Sequence, residues 1–400
     1  MTGNHRLAMG LYISIPFCRS KCTYCNFSSG VYPAAAHSRY VERLIEDLAG
    51  ARAWAGGAGA ELPERIDSIY LGGGTPSLLA PGLLAQLFAA IRDGFEIDSD
   101  AEITMECAPG QIAGAMLEAM TACAVNRVSL GVQSFVDREA HESGRLHTRA
   151  VVEDDLRRLR AAGIVNLNID LIAGLAGQTF ASWEESLQAL IACDAPHASV
   201  YMLEVDEDSR LGRELLAGGA RYRAGLVPTD DAIARMYERA LEQLEAGGLK
   251  QYEISNFSRP GFASRHNLRY WRRRPYLGVG LDASSALCGE HGLLRAATTG
   301  DLEAYLAGPQ AIEKTWLTAA QQHEEAWFLG LRLNAGVNVA ELEQEFGRDL
   351  VAPAIVTAQR LAADGLLDFD GDTARLTAQG RLLSNDVFQE FLTETEVAAG

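Results

Sequence analysis

Three closely spaced cysteines carry the strongest chemical signal in the sequence. In IPFCRSKCTYCNF, Cys18, Cys22 and Cys25 follow the spacing C-x3-C-x2-C. Soft thiolate ligands suit iron, and three of them hold three irons of a cubane [4Fe-4S] cluster. The fourth iron is left open, and the amine and carboxylate of S-adenosylmethionine (SAM) can chelate it. A structural zinc site needs a fourth ligand close by. The nearest histidines, His5 and His37, are poorly spaced for one. Clustered cysteines in a chain of this size suggest metal or redox chemistry, not a disulfide framework. Cys107, Cys123, Cys193 and Cys288 are scattered singly and read as small buried hydrophobes.

A second signal is the glycine run LGGGTPS at 71–77. Three glycines let backbone approach a ligand closely and leave N–H and C=O groups free for its polar end. Alone, such a run is an ordinary tight turn. One β/α unit beyond the cysteines, it lies where the methionine part of a chelated SAM needs polar partners.

These residues need elements to hold them. From residue 10 to about 205, short apolar runs alternate with helical stretches. LYISI (11–15), IDSIYL (66–71), AEITMEC (101–107), VNRVSLGV (125–132), NLNIDLIAGL (166–175) and ASVYMLEV (198–205) read as strands joined by helices. That order predicts an α/β fold with a parallel sheet, a partial (β/α)6 barrel open along one side. The cysteine motif directly follows the first strand and so falls on the C-terminal rim, where β/α folds place their sites. Residues 206–315 read as a less regular extension, with a helix at 230–248, a strand at 250–257 and a structured loop with a short helix at 259–280. Residues 316–400 read as short helices and a hairpin turning at Asp370-Gly371, a winged-helix-like module. AGGAGAELP and its neighbours (50–63) read as a flexible connection. The expected divisions are 1–205, 206–315 and 316–400.

Composition excludes several function classes. A formal charge of −18 argues against nucleic-acid binding, which needs a basic face, and against adhesion to anionic lipid. No apolar run approaches the roughly eighteen residues of a membrane span. The N-terminus lacks a signal-peptide pattern, so a cytoplasmic location is expected.

Taken in order, IPFCRSKCTYCNF, LGGGTPSLL, EITMECAPG, VNRVSLGVQSF, GRLH, NLNIDLIAGLAGQT, YEISNF, RHNLRYW and YLGVG resemble one branch of the radical-SAM proteins. That branch contains oxygen-independent coproporphyrinogen III oxidase and the heme chaperone HemW, and the resemblance runs from about Leu11 to the C-terminus. It implies that Cys18, Cys22 and Cys25 bind the cluster, that Tyr12 and Tyr24 flank SAM, and that Gly73, Gly74 and Thr75 meet its methionine end. Glu106, Gln133, Arg145 and Asp170 match family SAM contacts. Chemically, Asp170 or Glu106 can accept from ribose hydroxyls and Arg145 can pair with the carboxylate. The resemblance also implies homolysis of the SAM S–C5′ bond by a reduced cluster, fed by a donor such as flavodoxin or ferredoxin.

The chain departs from the oxidase at Phe27, where that enzyme carries a fourth cysteine, and in having only seventeen residues ahead of Cys18. Both features are similar to HemW, as is RHNLRYW (265–271). The resemblance makes His266 an axial heme ligand and gives Arg265, Arg269, Arg272, Arg273 and Arg274 to the propionates. The residues alone equally allow a solvated basic loop with His266 in a structural hydrogen bond. Cys107-Ala108 and Ala176 differ from the family pattern, in which asparagine precedes the proline of EITMECAPG and proline stands at position 176. His141, His147, His197, His291 and His323 make no metal-site spacing. Two functions stay open: a chaperone that binds heme and delivers it to an apo-hemoprotein, or an enzyme. The enzyme would be a coproporphyrinogen oxidase, against which Phe27 argues, or a HemN-like radical-SAM methyltransferase. The acidic balance gives the C-terminal module a covering or partner-docking role.

Overall fold

Alternation at every second residue gives the strands of the first half two chemically different faces. Leu11, Ile13 and Ile15 are fully buried on one face of the first strand, with Tyr12 and Ser14 on the other. The structure, a computed structural model, describes residues 8–308 and 312–392; His5 lies outside them. In chain order the first half comprises β1 (Met9–Ile15), α1 (Ala34–Gly57), β2 (Arg65–Gly73), α2 (Pro81–Gly94), β3 (Glu96–Cys107), α3 (Gly114–Ala122), β4 (Arg127–Gln133), α4 (Asp137–Glu142), α5 (Arg149–Ala161), β5 (Asn166–Ala173), α6 (Phe180–Ala192) and β6 (His197–Met202). Consecutive strands β1 to β6 pair in parallel, so the expected six-strand partial barrel is present.

The outward strand face and the helices share one apolar core. Leu11, Ile13, Ile69, Met105, Leu130, Ile169 and Val200 pack with Leu44, Phe88, Leu156, Trp183 and Leu187. The inward face is polar from end to end. Ser68, Glu102, Thr104, Ser129, Asn168, His197 and Ser199 are all buried there and mostly satisfy one another. Asn168 is the hub: its amide donates to Ser129 at 2.7 Å, Asp170 at 2.7 Å and Ser199 at 3.0 Å, and its carbonyl meets His197 at 2.6 Å. Most buried polar groups are paired in this way; the Thr104 hydroxyl is an exception.

Two sequence expectations change. The connection expected to be flexible is largely helical, because α1 runs through Gly50 and Gly56. Ala51 and Ala55 extend its buried stripe of Tyr40, Val41, Leu44 and Leu48, and packing outweighs the poor helix propensity of glycine. Residues 206–315 are more ordered than expected. They supply α7 (Arg210–Leu216), α8 (Asp230–Ala246), β7 (Lys250–Glu253), β8 (Asn256–Ser258), α9 (Arg265–Trp271), β9 (Tyr276–Val279), β10 (Ser284–Gly289), β11 (Gly292–Ala297), α10 (Leu302–Leu306) and β12 (Glu313–Leu317). These strands lengthen both edges of one sheet, in the order β12-β11-β10-β9-β1-β2-β3-β4-β5-β6-β8-β7. β9 lies parallel to β1, and β8 antiparallel to β6. The single strand expected at 250–257 is instead a hairpin, β7 with β8.

The C-terminal segment contains α11 (Ala319–Gly330), β13 (Val337–Asn338), α12 (Val339–Phe346), α13 (Arg348–Ala363), β14 (Leu367–Phe369), β15 (Thr373–Leu376), α14 (Ala378–Leu382) and α15 (Ser384–Gln389). Its sheet, β13-β15-β14, and its own core of Trp327, Leu331, Val351, Leu361 and Phe391 match the winged-helix-like reading. Ile254, from the β7–β8 turn, is buried in that second core. The Arg332 guanidinium stacks 4.3 Å from the Trp271 ring, and Arg273 pairs with Glu345 at 2.6 Å, so the module docks on α9 and the hairpin. No helix among the described residues is long and apolar enough to cross a membrane.

Candidate functional site

The cysteine loop leaves the end of β1 and is pinned at both ends. Cys18 N donates to Gly30 O at 2.8 Å, Gly30 N donates to Pro16 O at 2.8 Å, and Lys21 Nζ caps the carbonyls of Phe27 and Ser29 at 2.8 and 2.9 Å. The glycine turn is sewn to the same loop, with Gly74 N donating to Ile15 O at 2.8 Å and Thr75 N to Phe17 O at 2.7 Å. A Cβ on Gly74 would lie 2.8 Å from both carbonyl oxygens, so glycine is required there by the neighbouring backbone. The loop after α4 closes the third side, where Thr23 N donates to Ser143 O at 3.1 Å.

These segments enclose a cavity of about 300 Å³ at the C-terminal rim. Cys18, Cys22, Cys25, Tyr24, Gly73, Gly74, Thr75, Glu106, Gln133, Arg145 and Asp170 all line it. Two expected residues do not. Tyr12 lies one layer deeper, its ring centroid 6.1 Å from that of Tyr70, and Tyr70 donates to Glu106 at 2.8 Å. His266 is remote from the cavity lining.

The cavity's electrostatics follow from burial. Glu106 accepts from Tyr70 and from Gly73 N at 3.2 Å, yet burial pushes its carboxyl up to about 7, with Asp170 adding to the rise. Burial also raises Asp170, against the bonds from Ser199, from Ser129 at 3.0 Å and from Asn168 at 2.7 Å. Burial opposes the charge of Arg145, but the neighbouring Tyr24, Cys22 and Asp170 outweigh it and the guanidinium stays protonated. Gln133 sits at a bulge between β4 and β5 with φ of 70°, a conformation that strains a side-chain-bearing residue. Tyr24 Oη, Gln133 Oε1, Arg145 Nε and His147 Nε2 are buried here without a protein partner. Tyr24, Glu106, Gln133, Arg145 and Asp170 put both donor- and acceptor-bearing side chains in the lining, which suits a polar ligand rich in both, as SAM is.

The cysteines suit a cluster better than a single ion. Among the described residues no three His, Cys, Asp or Glu side chains converge on one point. A cubane spreads its thiolates over separate irons and does not need such convergence. Thr75 Oγ1 donates to Cys18 Sγ at 3.9 Å and Ser29 Oγ lies 3.9 Å from Cys25 Sγ, so hydroxyls already attend two of the sulfurs.

His266 occupies the opposite mouth of the barrel. It is fully buried, its Nδ1 pairs with Ser68 Oγ at 3.0 Å, and its Nε2 pairs with Tyr270 Oη at 2.8 Å. Burial, with Arg269 next to it, pushes its imidazole down to about 3. Both ring nitrogens are engaged here, so binding heme iron would require His266 to release Ser68 or Tyr270. Three of the five arginines are likewise engaged: Arg269 with Asp67, Arg265 with Asp100 at 3.4 Å, and Arg273 with Glu345. α9 plugs the barrel floor, anchored by Glu102, which accepts from the backbone N–H of Arg265 at 3.1 Å and of His266 at 3.0 Å. Sequence reasoning missed Tyr70, Gln111 and His147. Only the inward alternation of β2 flags Tyr70, and the place of His147 in GRLH was its only signal.

Comparison with known proteins agrees with this geometry. The Radical SAM superfamily model matches residues 12–190, and the HemN C-terminal domain model matches residues 317–383. The solved coproporphyrinogen III oxidase HemN of Escherichia coli superposes with a TM-score of 0.83 over 98% of this chain and 91% of its own, at 23% identity. Fold and cavity thus define a radical-SAM protein, a class whose members use SAM and a [4Fe-4S] cluster. The heme chaperone HemW of Lactococcus lactis is 34% identical over 96% of this chain and 97% of its own length. That of Bacillus subtilis is 33% identical over 96% and 99%. The chain belongs to the HemW family.

Proposed function

We propose that this protein binds heme and delivers it to an acceptor apo-hemoprotein, with a [4Fe-4S] cluster and SAM held in the rim cavity. The observation that carries the reading is the joint presence of the complete three-cysteine cavity and Phe27 at its mouth. Phe27 is 62% exposed, where the oxidase places a further sulfur. Full-length similarity to proteins named heme chaperones supports it.

Cys18, Cys22 and Cys25 would hold the cluster, and when bound there cluster and SAM supply one-electron chemistry. The chain's residues do the positioning. Gly73, Gly74 and Thr75 form a shelf beside Cys18, with Gly74 and Thr75 stitched by backbone bonds to Ile15 and Phe17 just ahead of it. Glu106 on β3 and Asp170 on β5 present acceptors from either side of β4, and Arg145 offsets their charge. Tyr24 walls the cavity between two of the cysteines. A flavodoxin- or ferredoxin-like donor would reduce the cluster.

The second reading, an enzyme, draws on the same cavity and the same lining residues. One experiment separates the two. Anaerobically reconstituted protein is given SAM, reductant and coproporphyrinogen III, and a parallel sample is loaded with hemin and mixed with an apo-hemoprotein. The expected result is no protoporphyrinogen IX and transfer of the Soret band to the acceptor. Porphyrinogen turnover without transfer would replace the chaperone by the oxidase.

A further inference from the structure

His197 opens β6 and is completely buried inside the barrel. The register of the parallel strands sets it in one row with Ser129 on β4 and Asn168 on β5. Asp170 lies one inward step nearer the rim. Ser129, Asn168 and His197 are buried, whereas Asp170 is half-buried and lines the cavity.

The hydrogen bonds of this row run one way. Facing the carboxylate of Asp170 at 2.7 Å, Asn168 presents its amide hydrogens, which turns its carbonyl oxygen toward His197. A carbonyl only accepts, so the 2.6 Å contact to His197 requires the proton on Nδ1. Nε2 is then an acceptor, filled by the Tyr252 hydroxyl at 2.8 Å. The Tyr252 oxygen accepts in turn, at 3.1 Å, from the backbone N–H of Ser264, the residue that caps α9. Burial pushes the imidazole well below its usual range, in keeping with a neutral ring of one fixed tautomer. Ser129 Oγ supplies a second bond to Asp170, donating to the other carboxylate oxygen at 3.0 Å while accepting from Asn168 at 2.7 Å. Each of these contacts donates into the carboxylate, so its remaining lone pairs face the cavity as acceptors. Bonds on both oxygens also fix the plane of the group, and a group held in its bound geometry costs less ordering when a ligand arrives.

We propose that His197 is a positioning residue for the rim cavity, holding Asp170 through Asn168 as a preset acceptor for the ribose hydroxyls of SAM. This rests on the radical-SAM reading of the cavity and on Asp170 as a ligand contact. His197 itself touches no ligand. Tyr252 and the first turn of α9 are the far anchor of the relay, so the floor helix helps to set the geometry of the rim.

The test is equilibrium binding of SAM to cluster-reconstituted wild-type, His197→Phe, His197→Asn and Asp170→Ala proteins, and to the His197→Phe/Asp170→Ala double variant. Cluster content and thermal unfolding are followed in parallel. Phenylalanine fills the site without a donor, whereas the asparagine amide can still donate to Asn168 from near the place of Nδ1. The Kd should rise about fivefold in His197→Phe and stay within about twofold of wild type in His197→Asn. In the Asp170→Ala background, His197→Phe should change the Kd no further, because its effect travels through that carboxylate. Should His197→Phe not fold, Tyr252→Phe, which deletes one oxygen, carries the same cycle with about a twofold loss expected. Unchanged affinity in His197→Phe, or in Tyr252→Phe where that stands in, overturns the proposal, as do equal losses with and without Asp170. Equal losses in His197→Phe and His197→Asn overturn it too, since packing alone would produce them. If Asp170→Ala binds SAM like wild type, the ligand contact itself falls and the relay has nothing to position. If Asp170→Ala binds more weakly while His197→Phe does not, the contact stands and this proposal alone falls.

Discussion

At the residue scale, the cavity combines side chains that are comfortable only when something else is bound. Glu106 is the clearest case, because burial lifts its carboxyl from the usual range to about 7. An acid whose folded value lies above its unfolded one binds more protons folded than unfolded between the two. Stability therefore falls as pH rises from about 4.5 to 7 and stays lower above that. Glu106→Gln should be more stable than wild type at pH 8, by roughly 1–3 kcal/mol, and the gain should vanish near pH 4.5. The same variant should bind SAM more weakly at pH 8, so denaturant titrations and ligand titrations across pH should move in opposite directions. Most of this site was legible in the sequence. The cysteine spacing, the glycine run and the carboxylates near the ends of β3 and β5 each sit in a contiguous motif whose order encodes the rim. Depth was not legible. RHNLRYW reads the same whether its histidine faces solvent or, as here, sits beneath the barrel between Ser68 and Tyr270. His147 was hidden for the converse reason, since a single histidine carries no spacing.

At the element scale, α9 is a stopper, and its residues act through packing. Removing the His266 ring leaves Ser68 Oγ and Tyr270 Oη buried without that partner, beneath a barrel face that tolerates few unpaired groups. His266→Ala should cost roughly 2–4 kcal/mol of stability. In the folded fraction it should leave the hemin Soret spectrum where it is; a lost or shifted Soret band would restore the axial-ligand role. The β/α elements were readable from the sequence because apolar runs and helical stripes alternate cleanly as far as β6. Beyond it the strands are short: β7 and β9 have four residues each and β8 has three, too few for a period-two pattern to register. What makes them strands is the free edges of β6 and β1, a tertiary cause absent from the local sequence.

At the scale of the whole molecule, two cores are coupled through one turn. Ile254 leaves the β7–β8 hairpin of the large sheet and is buried among Trp327, Val351 and Leu361 of the C-terminal module. Trp327 is fully buried and stacks on Phe391 with ring centroids 4.6 Å apart. Trp327→Ala should cost about 3–5 kcal/mol. Because Ile254 of the large sheet's hairpin is built into the module's core, the loss should appear as one cooperative unfolding transition lowered in midpoint; two separate transitions in calorimetry would show the module to be independent. The sequence divided the chain into three stretches. In the structure the sheet runs unbroken across the expected boundary at 205, and only the last stretch keeps a core of its own.

The position of β1 has a consequence for how the protein is made. The strand that launches the cysteine loop is not at the sheet edge but between β2 and β9, and β9 begins only at Tyr276. At translation speeds of roughly 5–20 residues per second, the ribosome spends tens of seconds between the two. Throughout that interval the nascent cysteine strand has one side unpaired and its floor, α9, not yet synthesised. Iron arriving early would meet thiolates on an unfinished scaffold. A metal centre held by this loop would thus find its finished scaffold only after most of the chain has left the ribosome.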